Sequence, residues 1–476
     1  MTIRHDRVES DDQAAPTAPP VVDPPQDPPT KPPAGSAARL RDALFPVVAE
    51  QSRRRRLAVW VVVLVAAAVY LAFRTPGVGA FDTVWAEDGA DFLDDAAKMG
   101  TLEAVTRPVN GYYLLYPRLL AEITTLFPVS WWAVVNTVFA IATTCAMAAV
   151  VYQASAGHFR RPLVRLAVAA PVVLQWVANG EAVNNVATVQ FAALYTGFWL
   201  LVYVAQGRVG RIGGPVVVAM VSLTTILALA LVPLALLRLA LRRDRDSLWL
   251  TVATGGGVLV QVLGAESGAA TRDGIGETTP DPGWVVESFR KIAVPATFLG
   301  ESAMKTIADH PKLWVVAWLV LVAAVLVSFW RALRPARLFA ALAFAYALGV
   351  FAMEIVAMGR VPGRYLVVPS FLLVTVVVAL LRPQDAAPPD DPPTGGRRGL
   401  ASYVPLVVLL GLIGHLSVAN YRVDHQSRTG LPSWTAQVDE RAHECQDDPA
   451  LRSVVVRSGP ERTPYSRVNV PCERLR

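Results

Sequence analysis

The chain has 476 residues, of which 53% are hydrophobic and 17% charged, with a mean hydropathy of +0.40. That composition excludes an ordinary soluble globular protein and, with its many apolar runs of bilayer length, predicts an all-α polytopic membrane protein. The net charge of +6 does not mark a nucleic-acid partner, because the arginines stand in short clusters between apolar runs, where they set orientation in a bilayer.

Residues 1–35 are rich in Pro and Asp and lack an apolar run, which predicts a disordered cytoplasmic tail rather than a cleaved signal. The segment 36–56 is basic. Leu40, Leu44, Phe45 and Val48 recur there at near-helical spacing beside Arg39 and Arg41, as in a short helix lying on the inner leaflet. Arg53, Arg54, Arg55 and Arg56 precede the first apolar run, 57–73, so the positive-inside rule keeps the N-terminus cytoplasmic and sends the next loop outside.

That loop, 74–130, carries an acidic cluster: Asp82, Glu87, Asp88, Asp91, Asp94 and Asp95. Asp88, Asp91 and Asp95, at spacings of three and four, would share one helical face. Helix capping and solvation near a helix start account for Asp91, Asp94 and Asp95. Glu87 and Asp88, before Gly89 and beside Trp85, are the stronger candidates for chemistry. Further on, 113–127 is apolar enough to rest on the membrane surface, with Tyr112, Tyr113 and Tyr116 as interfacial anchors.

Apolar runs follow at 131–152, 163–178 and 188–204, with Arg160, Arg161 and Arg165 and then Arg208 and Arg211 on the inner side. Residues 215–241, read as one helix, would put Arg242, Arg243 and Arg245 outside. The charges therefore predict two short helices, 215–223 and 226–241, joined near Thr224 and Thr225, a break tolerated only where protein or a cavity surrounds it. Runs at 248–263, 313–330, 339–358, 365–381 and 404–418 complete about eleven membrane helices over 57–420, with the C-terminus outside. The second long loop, 265–311, reads either as a cover over a site or as an ordinary connection.

Two polar features remain near the outer side. The turn Asn179–Asn185 offers Glu181, Asn184 and Asn185 either to sugar hydroxyls or to helix ends. Glu354 lies inside a membrane run, where an acid is functional by default unless Arg360 or Arg364 pairs with it. Residues 421–476 predict a small α+β extracytoplasmic module, with Trp434, Val438, Ala442 and Cys445 on one helical face and strands at 453–456 and 467–470. A disulfide between Cys445 and Cys472 fits that oxidising side, whereas Cys145 is a core residue.

An acidic pair in the first outer loop, a surface-lying helix after it, about eleven spans and the run Arg364-Tyr365-x-x-x-Pro369 resemble the C-type integral-membrane glycosyltransferases (GT-C). The layout is also similar to that of uncharacterised actinobacterial polytopic proteins with a short Cys-containing tail. The likeness covers about 57–420 and is one of layout. It implies a plasma-membrane enzyme that moves a sugar from a polyprenyl-phosphate donor to a cell-envelope glycan or lipid acceptor on the outer face. It implies Asp88, or else Glu87 or Asp82, as general base, with Arg364 and Arg360, beside Tyr365, on the donor phosphate. Glu181, Asn184, Asn185, Tyr112, Tyr113 and Glu354 would then surround the substrate. No cofactor is called for, and a divalent metal on Glu87, Asp88 and Glu181 is compatible with the sequence without being required. Walker, Rossmann, zincin and Gly-x-Ser-x-Gly motifs are missing. The rival classes are a transporter or lipid flippase, which also uses broken helices and buried charge, and a non-catalytic envelope scaffold.

Overall fold

The computed structural model describes residues 35–47, 57–109, 111–266, 281–301, 312–384, 400–423, 428–459 and 466–476. The N-terminal tail, Arg53 to Arg56, Asn110 and the Pro-rich stretch 385–399 lie outside the described residues, as do 267–280 and 302–311 of the second long loop. The chain is mostly helical, with one two-stranded sheet.

Four helices, Val129–Ala154, Arg245–Ala265, Arg337–Val356 and Gly363–Leu380, are long and apolar enough to cross a membrane. Shorter apolar helices at Trp60–Ala72, Pro162–Leu174, Val189–Val202, Leu313–Val327 and Val404–Ala419 share one core with them. Val62, Leu319, Leu326 and Val408 are among the apolar side chains on the outside of this bundle, a surface suited to a hydrocarbon solvent.

The centre of the bundle is a pair of short helices, Val189–Val202 and Val367–Leu380, each with all 14 residues buried. Tyr195 bridges them, its hydroxyl 2.9 Å from the Val168 carbonyl and 2.8 Å from the Thr375 hydroxyl. A helix of 14 residues rises only about 21 Å, less than the roughly 30 Å of hydrocarbon. Both ends of Val189–Val202 therefore lie inside protein, where their unpaired N–H and C=O groups need partners. At the N-terminal end Asp88 accepts from the Val186 and Ala187 amides, and Asn185 Oδ1 accepts from the Thr188 amide. At the C-terminal end the buried Arg238 guanidinium donates to the carbonyls of Leu200 (3.4 Å), Leu201 (2.7 Å) and Tyr203 (2.5 Å). Negative charge thus meets the amide end and positive charge the carbonyl end, as the helix dipole favours. Buried Arg74 does the same for Pro162–Leu174, donating to Val173, Leu174 and Gln175 carbonyls.

The charge-based break is present. The helix Arg208–Thr224 ends at Thr225, whose extended backbone (φ −148°, ψ 134°) leads into a 3₁₀ turn, Ile226–Leu231, and the helix Val232–Arg242. The first arm starts at Arg208 rather than at 215, so its 17 residues rise about 25 Å and approach bilayer length. The turnabout brings the arginine clusters to one end of the bundle. There Arg382 donates to the His158 carbonyl (3.1 Å), Arg211 faces Asp246 (3.4 Å), and Arg242 donates to the Phe45 carbonyl (3.3 Å). The short helix Ser36–Leu44 also sits at this end, and Leu44 and Phe45 are buried in the core rather than laid on a leaflet.

At the opposite end the first long loop and the C-terminal segment form one body. The loop contains a π-helical turn, Asp88–Leu93, and the helices Asp94–Lys98, Thr101–Thr106 and Leu115–Thr124. The C-terminal segment contributes the helix Trp434–Asp447 and two antiparallel strands, β1 (Ser453–Arg457) and β2 (Arg467–Pro471), in register from Ser453 opposite Pro471 to Arg457 opposite Arg467. Their apolar residues join Val84, Phe92, Leu93 and Trp132 in a common core, so 421–476 is not a free-standing module. Trp434 stacks on Trp132 at 6.3 Å and donates to the Val129 carbonyl (2.8 Å). The Cys445–Cys472 disulfide closes a separation of 27 residues, worth about 3.5 kcal/mol in the loop-entropy account.

The described part of the second long loop, 281–301, is neither a loose cover nor a plain connection. Phe289, Ala293, Val294, Ala296 and Phe298 are buried in the bundle, the Trp176 indole donates to the Thr297 carbonyl (2.9 Å), and the Thr297 hydroxyl meets that of Ser370 (2.9 Å).

Arg238→Met leaves two buried carbonyls of the central helix and the Tyr203 carbonyl that follows it without their donor and is expected to lower stability by about 2 to 4 kcal/mol. Arg238→Lys recovers only part of this, since an ammonium cannot fork across three acceptors. Thermal unfolding in detergent of the two variants beside the wild type measures both effects.

Candidate functional site

The acidic cluster divides according to what each carboxylate touches. Asp82 Oδ1 accepts from the amide and hydroxyl of Thr435, both at 2.9 Å, and so tethers the C-terminal helix. Asp94 Oδ1 accepts from the Asn469 amide (2.6 Å) and side chain (2.9 Å) on β2. Asp95 pairs with Arg107 (2.6 Å) and with buried Arg118 (3.0 Å). Asp88 is 1% exposed and caged by the Asn136 side chain (2.7 Å) and the amides of Val186 (2.8 Å) and Ala187 (2.7 Å). Burial pushes its carboxyl up to about 6, although those three bonds favour the charged form. With its oxygens turned to the central helix, Asp88 is a structural acid, which corrects its expected place as general base. Asp82 leaves the catalytic set for the same kind of reason.

Two acids remain. Neither Glu87 nor Asp91 accepts a hydrogen bond or closes an ion pair among the described residues, and both are half-buried. Burial first, and then the negative charge of Glu87, push the Asp91 carboxyl up to about 6, against the nearby Arg118 and Arg107. The face-sharing expectation fails because the π turn carries more residues per turn than an α-helix. Asp88 is aimed at the central helix, Asp95 at Arg118, and Asp91 toward Glu87. Asp91 was set aside on sequence, and the signal that could have recovered it is its position four residues after Glu87.

Arg364 approaches this couple at Glu87. Its guanidinium lies 3.4 Å from Glu181 Oε2, its backbone amide donates to the same oxygen (3.3 Å), and Glu87 and Tyr112 lie within its electrostatic reach. Its neighbour Tyr365 is buried, edge-on to Phe191 at 5.5 Å. Gly363 lies close to the second long loop, since a Cβ there would come 3.1 Å from Glu301 Oε1. Glu301 therefore borders the site from the second long loop and was not singled out on sequence. Arg360, by contrast, is exposed and takes no ion pair among the described residues.

Of the other expected substrate contacts, Asn184, Asn185 and Tyr113 are engaged in holding the fold. Asn184, at φ 55°, donates to the Leu71 carbonyl (2.7 Å) and the Thr75 hydroxyl (3.0 Å), holding the start of the first loop. Asn185 donates to the Glu181 carbonyl (2.6 Å) while capping the central helix. The Tyr113 backbone exchanges two hydrogen bonds with buried Gln261 (2.8 and 3.0 Å), and its ring covers Gly264. Glu354 is fully buried with neither carboxylate oxygen partnered, so it is not paired with Arg360 or Arg364. Among the described residues no group of His, Cys, Asp or Glu has a metal-holding arrangement, Asp88 and Glu181 being turned to the central helix and to Arg364.

An apolar cavity of about 270 Å³ lies beside this end of the bundle, lined by Tyr116, Met147, Val189, Val217 and Met220 among others. Tyr116 is fixed on its wall, its amide donating to the Thr224 hydroxyl (3.2 Å) and its hydroxyl 2.6 Å from that of Thr143. Val189 on its wall begins the helix whose end Asp88 caps, so the cavity and the polar cluster share a boundary.

Compared with protein-family models and with curated proteins, the chain finds no match.

Asp88→Ala strips the partner from two buried amides and the Asn136 side chain, and a loss of about 2 to 4 kcal/mol is expected. Unfolding of the variant in detergent measures it, and an unshifted midpoint would show that the cage carries no weight.

Proposed function

We propose that the chain is a GT-C-type membrane glycosyltransferase of the plasma membrane, with about eleven passes, a cytoplasmic N-terminus and an extracytoplasmic C-terminus. It moves a sugar from a polyprenyl-phosphate donor to a hydroxyl of a cell-envelope glycan or lipid acceptor. The observation that carries this reading is the couple of carboxylates, Glu87 and Asp91, that accept no hydrogen bond among the described residues, with Arg364 in electrostatic reach of Glu87.

In the reaction the acceptor oxygen bonds to the anomeric carbon as the bond from that carbon to the phosphate oxygen breaks. The electron pair leaves on the polyprenyl phosphate, and the acceptor proton passes to Asp91. A carboxyl poised near 6 is ionised at neutral pH yet basic enough to take that proton. Glu87, one helical turn earlier, keeps Asp91 basic through its charge. Arg364, oriented by Glu181, offers a fork of N–H donors to the departing phosphate, which fits its partial exposure of 28%. The apolar cavity under Tyr116 suits the first isoprene units of the donor, because hydrocarbon is its natural content.

One observation favours the transporter or flippase class instead. Glu354 is an acid with no partner, buried inside the bundle, as in carriers that move charge.

Purified protein supplied with radiolabelled polyprenyl-phosphate sugars and envelope acceptors should transfer the label. Asp91→Asn should lower kcat by about 10²- to 10⁴-fold, and the wild-type rate should fall roughly tenfold per pH unit below about 6 as Asp91 protonates. No transfer from any donor, together with Glu354-dependent lipid or solute movement in vesicles, would favour the carrier.

Ala193→Phe fills the cavity wall. It should raise KM for a long-chain donor by about tenfold while sparing a water-soluble short-chain donor, in steady-state kinetics with the two substrates.

A further inference from the structure

We infer that the C-terminal segment is a positioning clamp for Glu87 and Asp91, closed by the Cys445–Cys472 bond, which fixes the loop on both sides of the Asp88 anchor. The importance of the couple rests on the transfer reading, whereas the clamp is tested without it.

Besides the Asp88 cage on the bundle side, the loop is gripped at four points along 82–94 by the C-terminal segment. Thr435 holds Asp82. Gly459 donates to the Val84 carbonyl (3.0 Å) and accepts from the Ala86 amide (2.5 Å), pairing with Trp85 as a strand would. Ser458 and Val468 press on Gly89, where a Cβ would come 2.7 Å from Ser458 Cβ and 3.0 Å from Val468 Cγ2. Asn469 holds Asp94. Glu87 lies between the second and third grips, and Asp91 between the third and fourth.

The backbone shows that the grip does work against a local preference. Ala86 sits at φ 29°, a region that an alanine leaves unless its surroundings fix it, and the Gly459 bond is what fixes it. Release of Gly459 would let Ala86 relax and turn the peptide that carries Glu87. Thr435 stands on the helix that ends near Cys445, and Asn469 on the strand that leads into Cys472, so the bond ties the outer grips together. The buried residues that this segment itself supplies, such as Val438, Val454, Val456 and Val470, form a core too small to stand without a staple.

The bond forms when the two thiols pass two electrons and two protons to an external protein disulfide by exchange, leaving that partner as a dithiol. Both sulfurs are then buried, Cys445 at 0% and Cys472 at 1% exposure, which shields the bond from reductants. The device is thus a one-way licence granted at maturation and not a reversible sensor.

The test uses the full chain in nanodiscs and compares wild type with Cys445→Ser/Cys472→Ser and with Gly89→Val, which keeps both cysteines but strikes Ser458 and Val468. Amides of 84–93 should exchange with deuterium at least tenfold faster in both variants, with the Arg337–Met358 helix unchanged. The pH midpoint for carbodiimide modification of Asp91 should also fall from about 6 toward the ordinary carboxylate range, since solvation and separation from Glu87 remove what raises it. If the cysteine variant loosens throughout, Gly89→Val decides. Unchanged exchange and an unchanged midpoint in Gly89→Val would overturn the clamp. Release of the loop in the variants, beside a wild type that transfers no sugar, would overturn the transfer reading and leave the clamp standing.

Discussion

A helix too short to span a bilayer needs, inside the protein, partners for the ends that water does not reach. Val189–Val202 meets that demand with a carboxylate on two amides just before its cap and a guanidinium across its last carbonyls. Both partners are supplied from far away in the chain, and each imposes a further requirement. Asp88 must be reached from the first long loop, which therefore folds down onto the bundle. Arg238 must arrive at the other end, which requires the chain to reverse at Thr225. The loop and the hairpin are thus two answers to one deficit.

That dependence also explains the division of labour among the acids. Once the loop is pulled down at Asp88, its other carboxylates divide: Asp82 and Asp94 go to the C-terminal helix and strand, Asp95 to the Arg107 and Arg118 side chains, and Glu87 comes within reach of Arg364. The caged Asp88 and the unpartnered Asp91 have similar proton affinities for different reasons. In Asp88 desolvation is opposed by three donors, whereas in Asp91 it is reinforced by Glu87. A raised carboxyl is therefore no guide to reactivity until the occupancy of its oxygens is known.

Much of the architecture was legible in the sequence because it follows from one-dimensional quantities. Arginine clusters forced the break at Thr225, apolar length and tyrosines marked the helix after Tyr113, and cysteine spacing with alternating valines described the last segment. The site was not legible to the same degree, since a carboxylate's task is set by what lies across from it. Asp88 resembled a catalytic acid because its cage comes from Asn136, Val186 and Ala187, distant in sequence. Asp91 resembled a solvated one because an α-helical period was assumed where the chain makes a π turn. Asn184 and Asn185, equally suited to sugar hydroxyls and to helix ends, went to the helix ends.

The contact between Asp82 and Thr435 joins residues 353 positions apart. On a ribosome adding about 5 to 20 residues per second, the first of the pair is in place roughly 20 to 70 s before the second exists. During that interval the nascent protein carries an inserted bundle with an unfinished acidic loop. A chain that stops after Val404–Ala419 would therefore lack Thr435, Gly459 and Asn469, the partners of the loop at Asp82, Val84 and Asp94.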